Sequence, residues 1–176
     1  MITASELAGF IAAHAIWTIS DAEGLIPILA FTTEDGQRKL ERLASDDLPA
    51  AVEHGRKRLE DDPFRAADGV LAYDGRITTA EGKRDAIILE IRSYALPWAK
   101  AMIAVPYSPL ESGRFRVHKP NLLEWERCED FDLEVAFGAF FRGSLPMSKA
   151  RGYGMSPWMR AVSPDPKIHC EYKDGC

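Results

Sequence analysis

The sequence predicts an α+β fold: an antiparallel, meander-rich sheet of about six to eight strands, two or three helices covering one face, and an irregular C-terminal tail. Three observations carry this. Residues 70–126 hold five strand-like runs separated by short Gly/Pro turns. Consecutive strands joined so briefly must be antiparallel, because parallel pairs need long crossovers. Helical periodicity recurs near the N-terminus, over 47–60 and after Glu129, and it disappears from Gly143 onward.

Thr3 and Glu6 have capping-box spacing, and Leu7, Phe10, Ile11 and His14 then recur at helical spacing. From Ile16 the pattern changes: Trp17 and Ile19 alternate with Thr18 and Ser20, which predicts a strand. A second strand is expected over Leu25–Thr33. Pro27 cannot donate to a ladder, so that strand belongs at an edge or carries a bulge at Pro27. Asp35-Gly36 is a hairpin signal leading into the charged run Arg38–Leu43, whose charges discourage pairing with another chain.

A second helix is expected from about Asp47 to Glu60, capped by Asp46 or Asp47, with Pro49 in its first turn. Leu48, Val52, Gly55 and Leu59 make its apolar stripe. The meander follows, with a bulge or turn expected at Asp74-Gly75. In its cleanest strand Ile87, Leu89 and Ile91 share one face, while Glu90 and Arg92 share the other. Ala101, Ile103 and Val105 alternate with Lys100 and Met102, and Phe115 and Val117 with Arg114, Arg116 and His118. A third helix opens on Glu129, Asp130, Asp132 and Glu134, carries Arg142 near its end and is expected to stop at Gly143.

The length fits one domain, placed at residues 1–142, with 143–176 as an extension that packs on that domain or on a partner. A net charge of −5 argues against general nucleic-acid binding. The imbalance is local, since residues 141–176 hold six basic side chains against three acids. No basic leader precedes the first helix, and no run of about 18 apolar residues predicts a membrane span. Three sparse cysteines do not form a disulfide framework, which favours a reducing cytoplasm.

No catalytic motif stands out. Gly152-Tyr153-Gly154-Met155-Ser156 is neither a nucleophile elbow nor a phosphate loop. His169, Cys170 and Cys176 match no paired metal-ligand spacing, so neither metal nor cofactor is expected. Cys128 lies among Glu126, Glu129 and Asp130, which push a thiol away from nucleophilic chemistry. Glu124 and Glu126 share a strand face and read as solvated acids more readily than as an acid/base pair.

The strand alternation sends Arg84, Arg92, Lys100, Arg114, Arg116 and His118 away from the aliphatic face. A solvated sheet face carries such charges in any case. Read as a site, they nominate Arg92, Arg114, Arg116 and His118 as contacts for an anion. The tail adds Met147, Tyr153, Met155, Trp158 and Met159, a composition typical of protein interfaces. The expected function is therefore a soluble binding or protein-interaction domain, partnered by another protein or by a second copy through the aromatic tail. The alternative is a small enzyme or ligand-binding protein that holds an anionic molecule between sheet and tail.

Overall fold

A computed structural model describes residues 1–21, 24–62, 64–96, 99–150 and 169–172, with backbone only for 145–150 and 169–172. Helix α1 (Ile2–Ser20) is followed by strands β1 (Ile28–Thr33) and β2 (Arg38–Arg42) and helix α2 (Leu48–Asp61). Strands β3 (Ala66–Thr79), β4 (Gly82–Ser93) and β5 (Ala99–Ser108) form the centre. A short 3-10 turn (Leu110–Ser112) leads to β6 (Arg116–Val117) and β7 (Asn121–Glu126). Helix α3 (Leu133–Ala150) and strand β8 (His169–Tyr172) complete the described chain. All strand pairs are antiparallel, in the order β2-β1-β3-β4-β5-β6, with β7 also on β5 and β8 also on β3. The fold is the expected α+β architecture.

Period-2 alternation sorts the central strands into two cores. Val70, Ala72, Ile87, Leu89, Ile91, Ala101, Ile103 and Val105 face α1 and α3, which bring Leu7, Ile11, Phe137 and Phe140. Leu71, Tyr73, Ile88 and Ala104 point the other way, toward Val52 and Leu59 of α2. Each fully buried Leu or Ile contributes about 1.5–3 kcal/mol, so both layers hold the sheet together. The second face is therefore not solvated throughout. Its centre lies under α2, which explains why Ala86-Ile87-Ile88-Leu89 is buried without interruption.

Several local expectations are corrected. First, α1 continues through Ser20, and no strand forms at 16–20. Ala4, Ala8, Ile11, Ala15 and Ile19 form one buried stripe, and that packing overrides the β-propensity of Ile16–Ile19. Thr3 and Glu6 make no capping box, because the helix already starts at Ile2 and Glu6 reaches Arg38 at 3.5 Å. Among the described residues α1 alone has the length and apolarity of a membrane span; here its apolar surface packs on the sheet and α3. Second, β1 starts after Pro27 and lies inside the sheet, between β2 and β3. Pro27 needs no donor there, and its carbonyl accepts the Leu43 amide at 2.9 Å.

Third, no bulge forms at Asp74-Gly75, and the β3–β4 register runs unbroken from Asp68↔Ser93 to Thr79↔Gly82. Fourth, α3 passes through Gly143 to Ala150. That glycine admits α1 instead of ending a helix, since a Cβ on it would meet the Glu6 carbonyl oxygen at 2.0 Å. Other expectations hold. Asp47 caps α2 by accepting the Ala50 amide at 3.0 Å, and Gly36 takes φ +80° in the β1–β2 turn. The exposed strand β2 forms the charged edge.

Candidate functional site

The four nominated residues do not share one surface patch. Arg92 lies on β4 opposite Lys100 of β5, and Ser108 is eight residues further along β5. At about 3.3 Å per residue, that places Arg92 roughly 26 Å from Ser108, too far for one small ligand. Arg92 sits 3.8 Å from Glu60 and lines a cleft of about 660 Å³ with Lys100, Arg127 and Glu126. Arg114 is exposed in the loop before β6 and lines neither this cleft nor the one described next. Arg116 and His118, by contrast, come together at the opposite end of the sheet.

The geometry there follows from where the strands part. Strands β4 and β5 stay paired as far as Ala86↔Pro106, after which β5 turns to β6 through Tyr107↔Val117 and Ser108↔Arg116. The remaining residues of β4 stay with β3, where Arg76 lies opposite Asp85. A cleft of about 490 Å³ opens in this fork. Arg76, Lys83, Arg84 and Asp85 line one bank; Tyr107, Ser108, Pro109 and Ser112 line the other. Pro106, which lacks an N–H, falls in the gap between the β7 and β6 ladders, and its carbonyl accepts the His118 amide at 2.8 Å.

The side chains are ordered by local bonds. His118 Nε2 lies 2.8 Å from Ser108 Oγ. Burial, and then the charges of Arg84 and Arg116, hold His118 below its ordinary pKa, against a weaker opposite pull from Glu81. At neutral pH the ring is therefore uncharged, and its tautomer sets whether Nε2 accepts from or donates to the Ser108 hydroxyl. Arg84 pairs with Glu81, and Arg76 Nε lies 3.4 Å from Asp85. The Tyr107 hydroxyl donates to Asp74 at 2.8 Å, and burial followed by the charge of Asp74 raises its pKa, so the phenol stays protonated. Arg116 has no ion-pair partner among the described residues.

Other candidates resolve into structural roles. Lys100 bonds Glu124 at 2.6 Å and Glu126 at 3.0 Å. The Lys100 ammonium holds the Glu126 carboxyl below its usual range, the wrong direction for a general acid. Cys128 is buried, its thiol raised by that burial, and it donates to the Glu126 carbonyl at 3.0 Å. Among the described residues no cluster of three His, Cys, Asp or Glu side chains can hold a metal. The nominated tail residues Tyr153, Met155, Trp158 and Met159, the side chain of Met147, and the His169/Cys170/Cys176 set lie outside what is described. So does any pocket between sheet and tail.

Sequence reasoning missed Ser108, Arg76 and the fork itself. The available signal was Pro106 and Pro109 bracketing Tyr107-Ser108, which marks where a strand must leave its ladder. Comparison with protein-family models, with curated proteins and with solved structures found no match.

Proposed function

We propose that this chain is a binding protein for an anionic small molecule, held at the fork between β4 and β5. The observation that supports this is the charge balance of the cleft: three cations and one carboxylate line it, and Arg116, opposite the lining residue Ser108 though not itself lining the cleft, has no ion-pair partner among the described residues. Guanidinium groups recognise carboxylates and phosphates through paired, charge-assisted hydrogen bonds. The volume suits a small metabolite. Binding is preferred to acyl transfer because no carboxylate among the described residues hydrogen-bonds His118, which leaves Ser108–His118 without the orienting third member of a triad.

The protein-docking reading has less support. The exposed large apolar side chains Ile2, Leu40, Leu110 and Val135 lie on four separate elements. Docking through the aromatic tail concerns residues outside those described.

A thermal-shift screen with anionic metabolites tests the proposal. A ligand at a hundred times its Kd adds about 2.7 kcal/mol, which is a rise of roughly 5–10 °C for a domain of this size. The rise should vanish in Arg84→Met/Arg116→Met and persist in Arg92→Met. A shift that survives the double substitution, or no shift across carboxylates, phosphates and sulfates, refutes it.

A further inference from the structure

We infer that the fork cleft takes a tetrahedral dianion, of the phosphomonoester class, together with a proton on His118. This rests on the anion-binding reading and specifies its ligand and its regulation. The geometry supplies a switch. His118 is fixed twice to β5, by its amide on the Pro106 carbonyl and by Nε2 on Ser108 Oγ, both at 2.8 Å. Ser108 in turn lines the cleft. With the neutral ring's hydrogen assigned to Nδ1, the Ser108 hydroxyl donates to Nε2 in the empty state and its hydrogen is unavailable to a ligand. Once Nε2 carries a proton the direction reverses: the ring donates to Oγ, and the hydroxyl hydrogen is free to turn toward the cleft. Proton uptake thus adds one positive charge beside the ligand and one donor on the cleft wall.

The charged groups facing His118 set the condition for that uptake. Arg84 from β4 and Arg116 from β6 oppose a third cation, and Glu81 of the β3–β4 turn only partly offsets them. A doubly charged ligand beside Arg84 and Arg116 removes that opposition, whereas a monoanion removes about half of it. Anion and proton therefore bind with positive coupling, and the coupling is reciprocal. The coupled protein step is one proton added to one imidazole nitrogen, with no covalent change.

Inorganic sulfate is the probe, because it keeps both charges through the range where histidine titrates. Titration calorimetry at pH 7.5, 6.5 and 5.5 should show tighter binding as pH falls, by at least threefold per unit and at most about tenfold for one proton. The His118 ring pKa, followed by NMR in the unaltered protein, should rise on saturation with sulfate. In His118→Asn, sulfate affinity should become flat with pH, while acetate on the unaltered protein should show about half of the sulfate pH effect on a logarithmic scale. A pH-independent sulfate affinity, or an unmoved His118 pKa, overturns the proton coupling and leaves the anion cleft standing. Sulfate binding that survives Arg84→Met/Arg116→Met, or no binding of either sulfate or acetate at any pH, overturns both; acetate binding with no sulfate binding overturns only the dianion assignment.

Discussion

Gly143 of α3 and Glu6 of α1 meet backbone to backbone: a methyl group on Gly143 would lie 2.0 Å from the Glu6 carbonyl oxygen. Gly9 repeats the arrangement in reverse, since its Cβ would stand 1.8 Å from the carbonyl oxygen of Phe140. Pairing 6 with 143 and 9 with 140 makes the helices antiparallel. It also lets them approach more closely than any side chain allows.

This contact predicts opposite outcomes for two glycines of one helix. Gly143→Ala should destabilise the protein by about 1–3 kcal/mol or more, because main-chain atoms cannot step aside as a flexible side chain can. Gly138→Ala, whose Cβ would find only Arg142 Nη1 at 3.6 Å, should stabilise it by up to about 1 kcal/mol through helix propensity. Urea unfolding checks both. Equal effects at the two positions would rule out the close helix contact.

Beneath α2, Arg56 Nε donates to Glu90 at 2.7 Å, Arg56 Nη2 donates to the Tyr73 hydroxyl at 2.8 Å, and that hydroxyl donates to Glu90 at 2.8 Å. The Glu90 side chain is only 11% exposed, while Arg56 remains 37% exposed. Breaking a buried pair from one side costs about 3–5 kcal/mol, and the exposure of Arg56 reduces this to roughly 2. Arg56→Met should therefore cost about 2 kcal/mol, and Arg56→Met/Glu90→Met distinctly less. A double substitution as costly as the sum of its parts would show that the three groups do not act together.

Stability should also fall between pH 7 and 5 through the histidines. Burial, then Arg42, lowers the pKa of His14, and His118 is lowered as well. In both, the unfolded chain binds the proton more readily, so stability is full above about pH 6.5 and is lost as pH falls through the folded pKa. One such group contributes a slope of at most about 1.4 kcal/mol per pH unit. Asp35, lowered chiefly by the Thr33 hydroxyl, and Glu126 act in a lower window, below about pH 4. Unfolding free energies at pH 7, 6 and 5 should fall less steeply in His14→Gln than in the unaltered chain. Identical slopes would contradict the assignment to His14.

Much of the fold was legible because its signals are local. Asp47 and Pro49 announced α2, Asp35-Gly36 announced a turn, and Ile87, Leu89 and Ile91 chose their face by alternation alone. The errors fell where distant packing prevails over local preference. Ile16–Ser20 has a strand-like pattern but continues a helix whose Ala4, Ala8, Ile11, Ala15 and Ile19 stripe is buried on the sheet. Gly143 suits a helix stop, yet it serves as the point where a second helix crosses. The candidate site was legible in part: strand alternation placed Arg116 and His118 on one face, while the prolines bracketing Ser108 marked the end of a ladder without showing what Ser108 meets.

The sequence by itself determined an antiparallel α+β sheet, because alternation and turn chemistry act within a few residues. Only the tertiary structure decided which face each helix covers and where β4 and β5 part. That parting separates Arg92 from His118 and joins Arg84, Ser108, Arg116 and His118 instead. The physical reason is that charge and hydrogen bonding act over a few ångströms of space, and the pairing register alone converts positions along a chain into such distances.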